Sequence, residues 1–143
     1  MSRFITRSVL NGQFSTETCD LAVQKGLMRS VQIAMKTSRD ILVIVPNIQH
    51  LDSGHIRSAL GDDFAKCIKK PASFKFNGIN ISRTSKIPSF TGENTVVWML
   101  WPTLQLAEEV TKKCQNTTSI VATEWCHPDE LNRWCIDNKA QSF

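Results

Sequence analysis

Residues 41–45, with the sequence ILVIV, are a run of apolar, mostly β-branched residues that leads into a polar stretch and then a helical pattern. Two later segments repeat this arrangement, TVVWML at residues 95–100 and SIVAT at residues 119–123. Such runs favour strands, and strands that alternate with helical patterns are typical of a parallel sheet covered by helices. We therefore predict an α/β fold of the Rossmann-like three-layer kind, with a mostly parallel sheet of four or five strands and helices on both faces.

The length and composition are those of one domain. The chain has 143 residues, of which 41% are apolar, and no stretch has the composition of a linker. Residues 1–14 suit an N-terminal arm or an edge strand with an Asn-Gly turn. The segment FKFNGINI, residues 74–81, predicts a β-hairpin over residues 73–82, because Asn-Gly stands between alternating apolar residues. Residues 83–94 are polar and predict a flexible loop.

Apolar residues spaced by three or four positions predict four helices. The first shows an unusually wide apolar stripe, since Leu21, Met28 and Ile33 extend it beyond one face. The helices are expected over residues 15–38, 53–70, 104–114 and 128–138.

Charge is distributed unevenly along the chain. The net charge is +4, but residues 1–92 contain 13 basic and 6 acidic residues, whereas residues 93–143 contain 4 basic and 7 acidic residues. Residues 64–92 carry six cations and no acid. A surface of one sign attracts anions, so an anionic small molecule is the expected partner. Nucleic acid is the less favoured alternative for this basic span, because no known binding module accompanies it, and a solvated surface without a partner is the interpretation favoured over it.

The cysteines and the length of the apolar runs indicate the cellular compartment to expect for the protein. Five cysteines, an odd number without a C-x-x-C pair, do not suggest a disulfide framework or a structural zinc site. No apolar run approaches the length of about 20 residues that crosses a bilayer, and the first residues lack the apolar stretch of a signal peptide. We expect a cytoplasmic protein without a membrane partner.

Candidate ligand-binding residues follow the predicted strands. In parallel sheets, ligands bind outside the carboxyl ends of the strands. A helix beginning near residue 53 would offer backbone N–H groups to an anion, and tryptophans that close two strands could stack on a flat ligand, whereas Trp98 and Trp134 are expected in the core. The predicted ligand-binding residues are Asn47, Asp52, Ser53, Gly54, His55, Trp101, Thr103 and Trp125.

Catalysis at the same edge is an open alternative. Candidates are His50, Glu124, Cys126 and His127, because cysteine with histidine can act as nucleophile and base, and histidine with a carboxylate as a general acid–base pair. No motif identifies a reaction or a cofactor. No metal site is predicted, since His50 and His55 are five residues apart, unlike the i, i+4 pair of a zinc helix.

Three functional hypotheses result from the sequence. The first is a small protein that binds a phosphorylated or nucleotide-like ligand at the carboxyl edge of the sheet. The second is a homo-oligomeric interaction module without catalysis, suggested by the wide stripe of helix 15–38 and the apolar N-terminal segment. The third is a small hydrolase or transferase that uses histidine, cysteine and carboxylate side chains at the same edge.

Overall fold

A computed structural model describes residues 3–10, 12–37, 39–46, 49, 51, 54–70, 72–86, 95–114, 118–125 and 129–142. Its elements in chain order are β1 (Arg3–Thr6), β2 (Val9–Leu10), β3 (Gln13–Phe14), α1 (Thr16–Thr37), β4 (Asp40–Ile44), α2 (His55–Leu60), α3 (Asp62–Lys69), β5 (Phe74–Phe76), β6 (Ile79–Thr84), β7 (Thr95–Leu100), α4 (Leu104–Lys113), β8 (Ile120–Thr123), α5 (Asn132–Asn138) and β9 (Gln141–Ser142). Within these residues, no helix is long and apolar enough to cross a membrane.

The described strands include a seven-stranded sheet of order β5-β6-β4-β7-β8-β1-β9. All neighbouring strands are parallel except β5 and β6. The α/β class and the mostly parallel sheet are therefore confirmed, whereas four or five strands was too few. The hairpin joins the sheet through β6, which pairs with β4. Counting the six strands of one direction in chain order, the arrangement is 3-2-4-5-1-6, which differs from the Rossmann order 3-2-1-4-5-6.

The sheet separates two apolar cores, because successive side chains of a strand point to opposite faces. In β4, Ile41 and Val43 belong to one core and Leu42 and Ile44 to the other. Helices α1, α2 and α3 contribute buried residues to the first core, and α4 and α5 contribute to the second. Helices therefore cover both faces of the sheet.

The predicted hairpin forms as expected. Its two turn residues, Asn77 and Gly78, have φ angles of 51° and 79°, as a two-residue turn of the primed type requires. Phe76 lies opposite Ile79, and Phe74 opposite Ile81.

The N-terminal segment differs from the prediction. Residues 3–6 are neither an arm nor an edge strand, because β1 pairs in parallel with β8 on one side and with β9 on the other. Strand β9 is only two residues long, too short to be recognised from its sequence pattern. On either side of the expected turn β2 and β3 pair, and Gly12 has a φ of 76°, whereas residue 11 lies outside the described residues.

Two other boundaries need correction. The helix predicted over residues 53–70 is divided at Gly61, whose φ of 91° does not fit a helix. Arg83 and Thr84 belong to β6 rather than to a loop, because β6 continues alongside β4. Most of the predicted loop, residues 87–94, lies outside the described residues. Helix α5 begins at Asn132, later than the predicted 128.

Helix α1 touches the sheet most closely at Gly26. A Cβ atom there would lie 2.7 Å from Nε1 of Trp98, and closer still to Oγ1 of Thr123. Both atoms are held in place, since Nε1 of Trp98 and the hydroxyl of Thr6 each donate a hydrogen bond of 2.8 Å to Oγ1 of Thr123. A side chain at position 26 would therefore push the helix away from β7 and β8.

We expect Gly26→Ala to lower the free energy of unfolding by about 2 kcal/mol. Overpacking a core costs about 1–3 kcal/mol, and a Cβ atom 2.7 Å from a fixed nitrogen places this site at the upper end of that range. Alanine in place of glycine returns only about 1 kcal/mol through its higher helix propensity. Denaturant unfolding measures the difference, and Gln32→Ala, an exposed position of α1, is the control, with a change within about 0.5 kcal/mol. A Gly26→Ala variant as stable as the wild type would contradict the close contact.

Candidate functional site

The carboxyl ends of β4, β7, β8 and β1 lie at one edge of the sheet, because these strands are parallel. Strand β4 is followed by α2 on one face, and β7 is followed by α4 on the opposite face. Such a change of face opens a crevice between neighbouring strand ends, where ligands bind in sheets of this class. The residues that follow these strands define the candidate site.

Three rings meet at this edge. The centroids of Trp101 and Trp125 are 4.5 Å apart, and that of His55 lies 5.0 Å from Trp125 and 6.1 Å from Trp101, all in edge-to-face geometry. Each ring comes from a different segment after a strand, so the structure brings together three residues that the sequence proposed separately. Trp101 is buried, whereas His55 and Trp125 are half-buried.

The backbone of Trp101 is unusual. Its φ is +58°, in the left-handed region that bulky residues rarely adopt. Its N–H donates to the carbonyl of Thr123 at 2.8 Å, which holds the turn after β7 against the end of β8. Strained backbone of this kind persists only where the surroundings enforce it, and it occurs most often at functional sites.

Two residues that the sequence did not indicate as site residues, Phe14 and Cys19, contact the aromatic cluster. Phe14 of the β2–β3 hairpin, 40% exposed, lies with its ring centroid 6.0 Å from that of Trp125. The fully buried Sγ of Cys19 lies 3.8 Å from Nδ1 of His55, so α1 positions the imidazole. Local sequence could not have indicated either residue, because each is far in sequence from the ring that it contacts.

A buried carboxyl group precedes Trp125 in the sequence. Glu124, at the end of β8, is 1% exposed and accepts a hydrogen bond at 2.7 Å from Nη1 of Arg7, which follows β1. Its backbone N–H donates to the carbonyl of Thr6 at 2.9 Å, and its carbonyl accepts from the hydroxyl of Ser8. The neighbouring β1 thus fixes both the backbone and the side chain of Glu124.

The carboxyl of Glu124 has an altered acidity. Burial raises its pKa from 4.5 to about 7, although the charge and the hydrogen bond of Arg7 act in the opposite direction. Its second oxygen, Oε1, is buried and has no hydrogen-bond partner among the residues that the structure describes. A carboxyl group that gains and loses a proton near neutral pH is suited to general acid–base chemistry or to accepting a hydrogen bond from a ligand.

Other predicted site residues have structural roles. The hydroxyl of Thr103 accepts from the N–H of Leu106 at 3.1 Å and caps α4, as expected for an N-cap threonine. Gly54 adopts the left-handed conformation directly before α2, a helix of six residues, and the anion site expected at this helix start stays a prediction. The remaining predicted positions lie outside the described residues: Asn47, His50, Asp52, Ser53, Cys126 and His127.

Arg83, in the basic span, has a structural role. Nε and Nη2 of Arg83 donate to the carbonyls of Ile68 and Lys69 at 3.0 and 2.7 Å. Arg83 therefore ties the end of α3 to β6, as cationic side chains commonly do at helix C-termini.

No group of three histidine, cysteine, aspartate or glutamate side chains within the described ranges is arranged to hold a metal ion. The four described cysteines, Cys19, Cys67, Cys114 and Cys135, are free thiols. Comparisons of the chain with protein-family models, curated proteins and solved structures give no match.

We expect wild-type stability relative to Glu124→Gln to fall as pH rises from about 5 to about 8. The folded-state pKa of Glu124, about 7, exceeds the ordinary value of 4.5, so the folded protein binds the proton more tightly than the unfolded chain. This contribution is complete below the ordinary pKa and is lost as pH rises through the folded-state pKa. Denaturant midpoints of both proteins across this range provide the test. A constant difference would mean that Glu124 does not titrate there.

Proposed function

We propose that the chain binds a small anionic ligand with a flat ring, such as a nucleotide, at the carboxyl edge of the sheet. The observation that carries this proposal is the contact between His55, Trp101 and Trp125, which come from three segments that follow separate strands. Clustered aromatic rings at the crevice of a parallel sheet supply the apolar part of such a site.

Trp125 and His55 are the half-buried members of the cluster, and the proposal assigns stacking to their rings. Stacking of a base on an aromatic side chain contributes about 1–3 kcal/mol. The buried ring of Trp101 packs against the rings of Trp125 and His55, and the turn after β7 holds it in this position. The ring of the ligand would thus meet a surface that is already assembled.

Arg7 supports the anionic part of the proposal. Its side chain is 30% exposed while it pairs with Glu124, the residue directly before Trp125. The planar guanidinium group is well suited to phosphate because its N–H donors are arranged as a fork. The excess of basic over acidic residues in positions 1–92 would further attract an anion to the protein.

We expect ATP and AMP to raise the melting temperature and to change the tryptophan fluorescence, and ribose 5-phosphate and inorganic phosphate to act more weakly because they lack the ring. Trp125→Ala should weaken nucleotide binding about 5–150-fold, the equivalent of the lost stacking energy of about 1–3 kcal/mol. Ile136→Ala, at a position that is 77% exposed on α5, is the control and should bind normally. If no nucleotide at millimolar concentration affects either signal, the proposal is wrong.

A second candidate function is acid–base catalysis on the bound ligand, with Glu124 as the proton-transferring group. It is favoured by the buried Oε1 and by the pKa of about 7, because a catalytic group works best when its pKa lies near the working pH. Arg7 would then both orient the carboxyl group and stabilise its charged form. This candidate adds to the binding proposal and depends on it.

We expect a hydrolytic activity, if Glu124 supports one, to appear as release of phosphate from a panel of nucleotides and phosphate esters, followed by phosphorus NMR. Glu124→Gln should lower the rate about 10²–10⁴-fold, the usual contribution of a general acid or base, while nucleotide binding is retained. If the wild type binds these compounds but releases no phosphate, Glu124 does not catalyse their hydrolysis and only the binding proposal stands.

A further inference from the structure

Helix α1 carries a row of exposed apolar side chains. Leu21, Met28 and Met35 are 41%, 58% and 62% exposed, and they follow one another at intervals of seven residues. Gly26 faces the sheet from the opposite side of the same helix. The wide stripe that the sequence predicts for this helix is therefore divided, with one part in the core and one part at the surface.

The row is bordered by two depressions. One, of about 270 Å³, lies between α1 and the end of α2 and is lined by Met28, Val31, Leu60 and Phe76, among others. The second, of about 390 Å³, lies between Met35 and the turn of the β5–β6 hairpin. Side chains from a second element could enter these depressions while its own apolar row lies along that of α1.

The spacing of the row indicates what kind of element fits it. Residues seven positions apart lie on nearly one side of a helix, because seven residues make about two turns, so an elongated element such as a second helix can cover the whole row. The row spans most of the 22 residues of α1. A second α1 offers a matching row of the same length, and Met28, the middle member, would lie near the centre of the contact.

The charges of α1 favour an antiparallel pair. Two exposed charged residues, Glu17 and Lys36, lie near opposite ends of α1. Of the other charges on this helix, Asp20 accepts a hydrogen bond from a hydroxyl of α2 and Arg29 lies over a ring of β1, so these two are engaged within the chain. Two antiparallel copies place Glu17 of each helix near Lys36 of the other, and their helix dipoles also oppose each other. A parallel pair would instead bring like charges together.

We propose that the chain forms a two-fold symmetric dimer in which α1 pairs in antiparallel orientation with α1 of a second copy, centred near Met28. Such an interface is closed, since the same surface of each copy is used once. The proposal goes beyond ligand binding, because its apolar row shares no residue with the aromatic cluster or with Arg7 and Glu124. Failure of either proposal therefore leaves the other intact.

The first test is the mass of the full chain in solution, by light scattering and native mass spectrometry at tens of micromolar. The wild type should have twice the chain mass of 16.1 kDa. Met28→Arg should be monomeric with an unchanged circular dichroism spectrum, since this side chain is already 58% exposed. Ile136→Arg, the control on α5, should remain dimeric. A monomeric wild type, or a dimer that Met28→Arg leaves intact, would overturn the proposal.

Charge reversal then tests the orientation of the two helices. Glu17→Lys and Lys36→Glu should each weaken the dimer several-fold, and the two changes combined in one chain should restore its affinity, because both ends of an antiparallel pair then carry exchanged charges. In a parallel pair each single reversal would only replace one pair of like charges by another, so the affinity would stay nearly unchanged. If neither reversal has an effect, charge does not select the orientation, and the antiparallel assignment fails.

Discussion

The structure depends on the close approach of α1 to the sheet at Gly26. The hydroxyl of Thr123 lies directly beneath this glycine and receives hydrogen bonds from Trp98 and Thr6. One buried hydroxyl thus joins β1, β7 and β8 at the position where the helix crosses them. A side chain at position 26 would overlap this hydroxyl. The short distance between α1 and the sheet therefore depends on the absence of a Cβ atom at this position.

The position of α1 determines both surfaces to which we assign a role. Its first turn brings Cys19 to His55, and the hairpin before it brings Phe14 to Trp125. Its opposite side exposes Met28 and its neighbours in the seven-residue row. The buried contact with the sheet, the contacts to the aromatic cluster and the exposed apolar row therefore all involve α1 or the hairpin before it.

The strand order decides which charged groups meet. Strand β1 is separated from β4 by β7 and β8, although β4 follows it in the chain. This arrangement makes β1 the neighbour of β8 and places Arg7 against Glu124, 117 residues away in sequence. The buried carboxyl group keeps its elevated pKa because the surrounding sheet excludes water, and Arg7 offsets only part of that cost.

The amino-acid sequence by itself determined the features that depend on neighbouring residues: the apolar strands, the turn at Asn77 and Gly78, and the cap formed by Thr103. It also indicated that His55, Trp101 and Trp125 follow strands that share an edge. Only the tertiary structure decided the order of the strands. An apolar strand at the centre of a sheet has the same sequence pattern as one next to its edge. For the same reason the pair of Arg7 with Glu124 and the exposure of Met28 depend on contacts between distant segments, which local periodicity does not record.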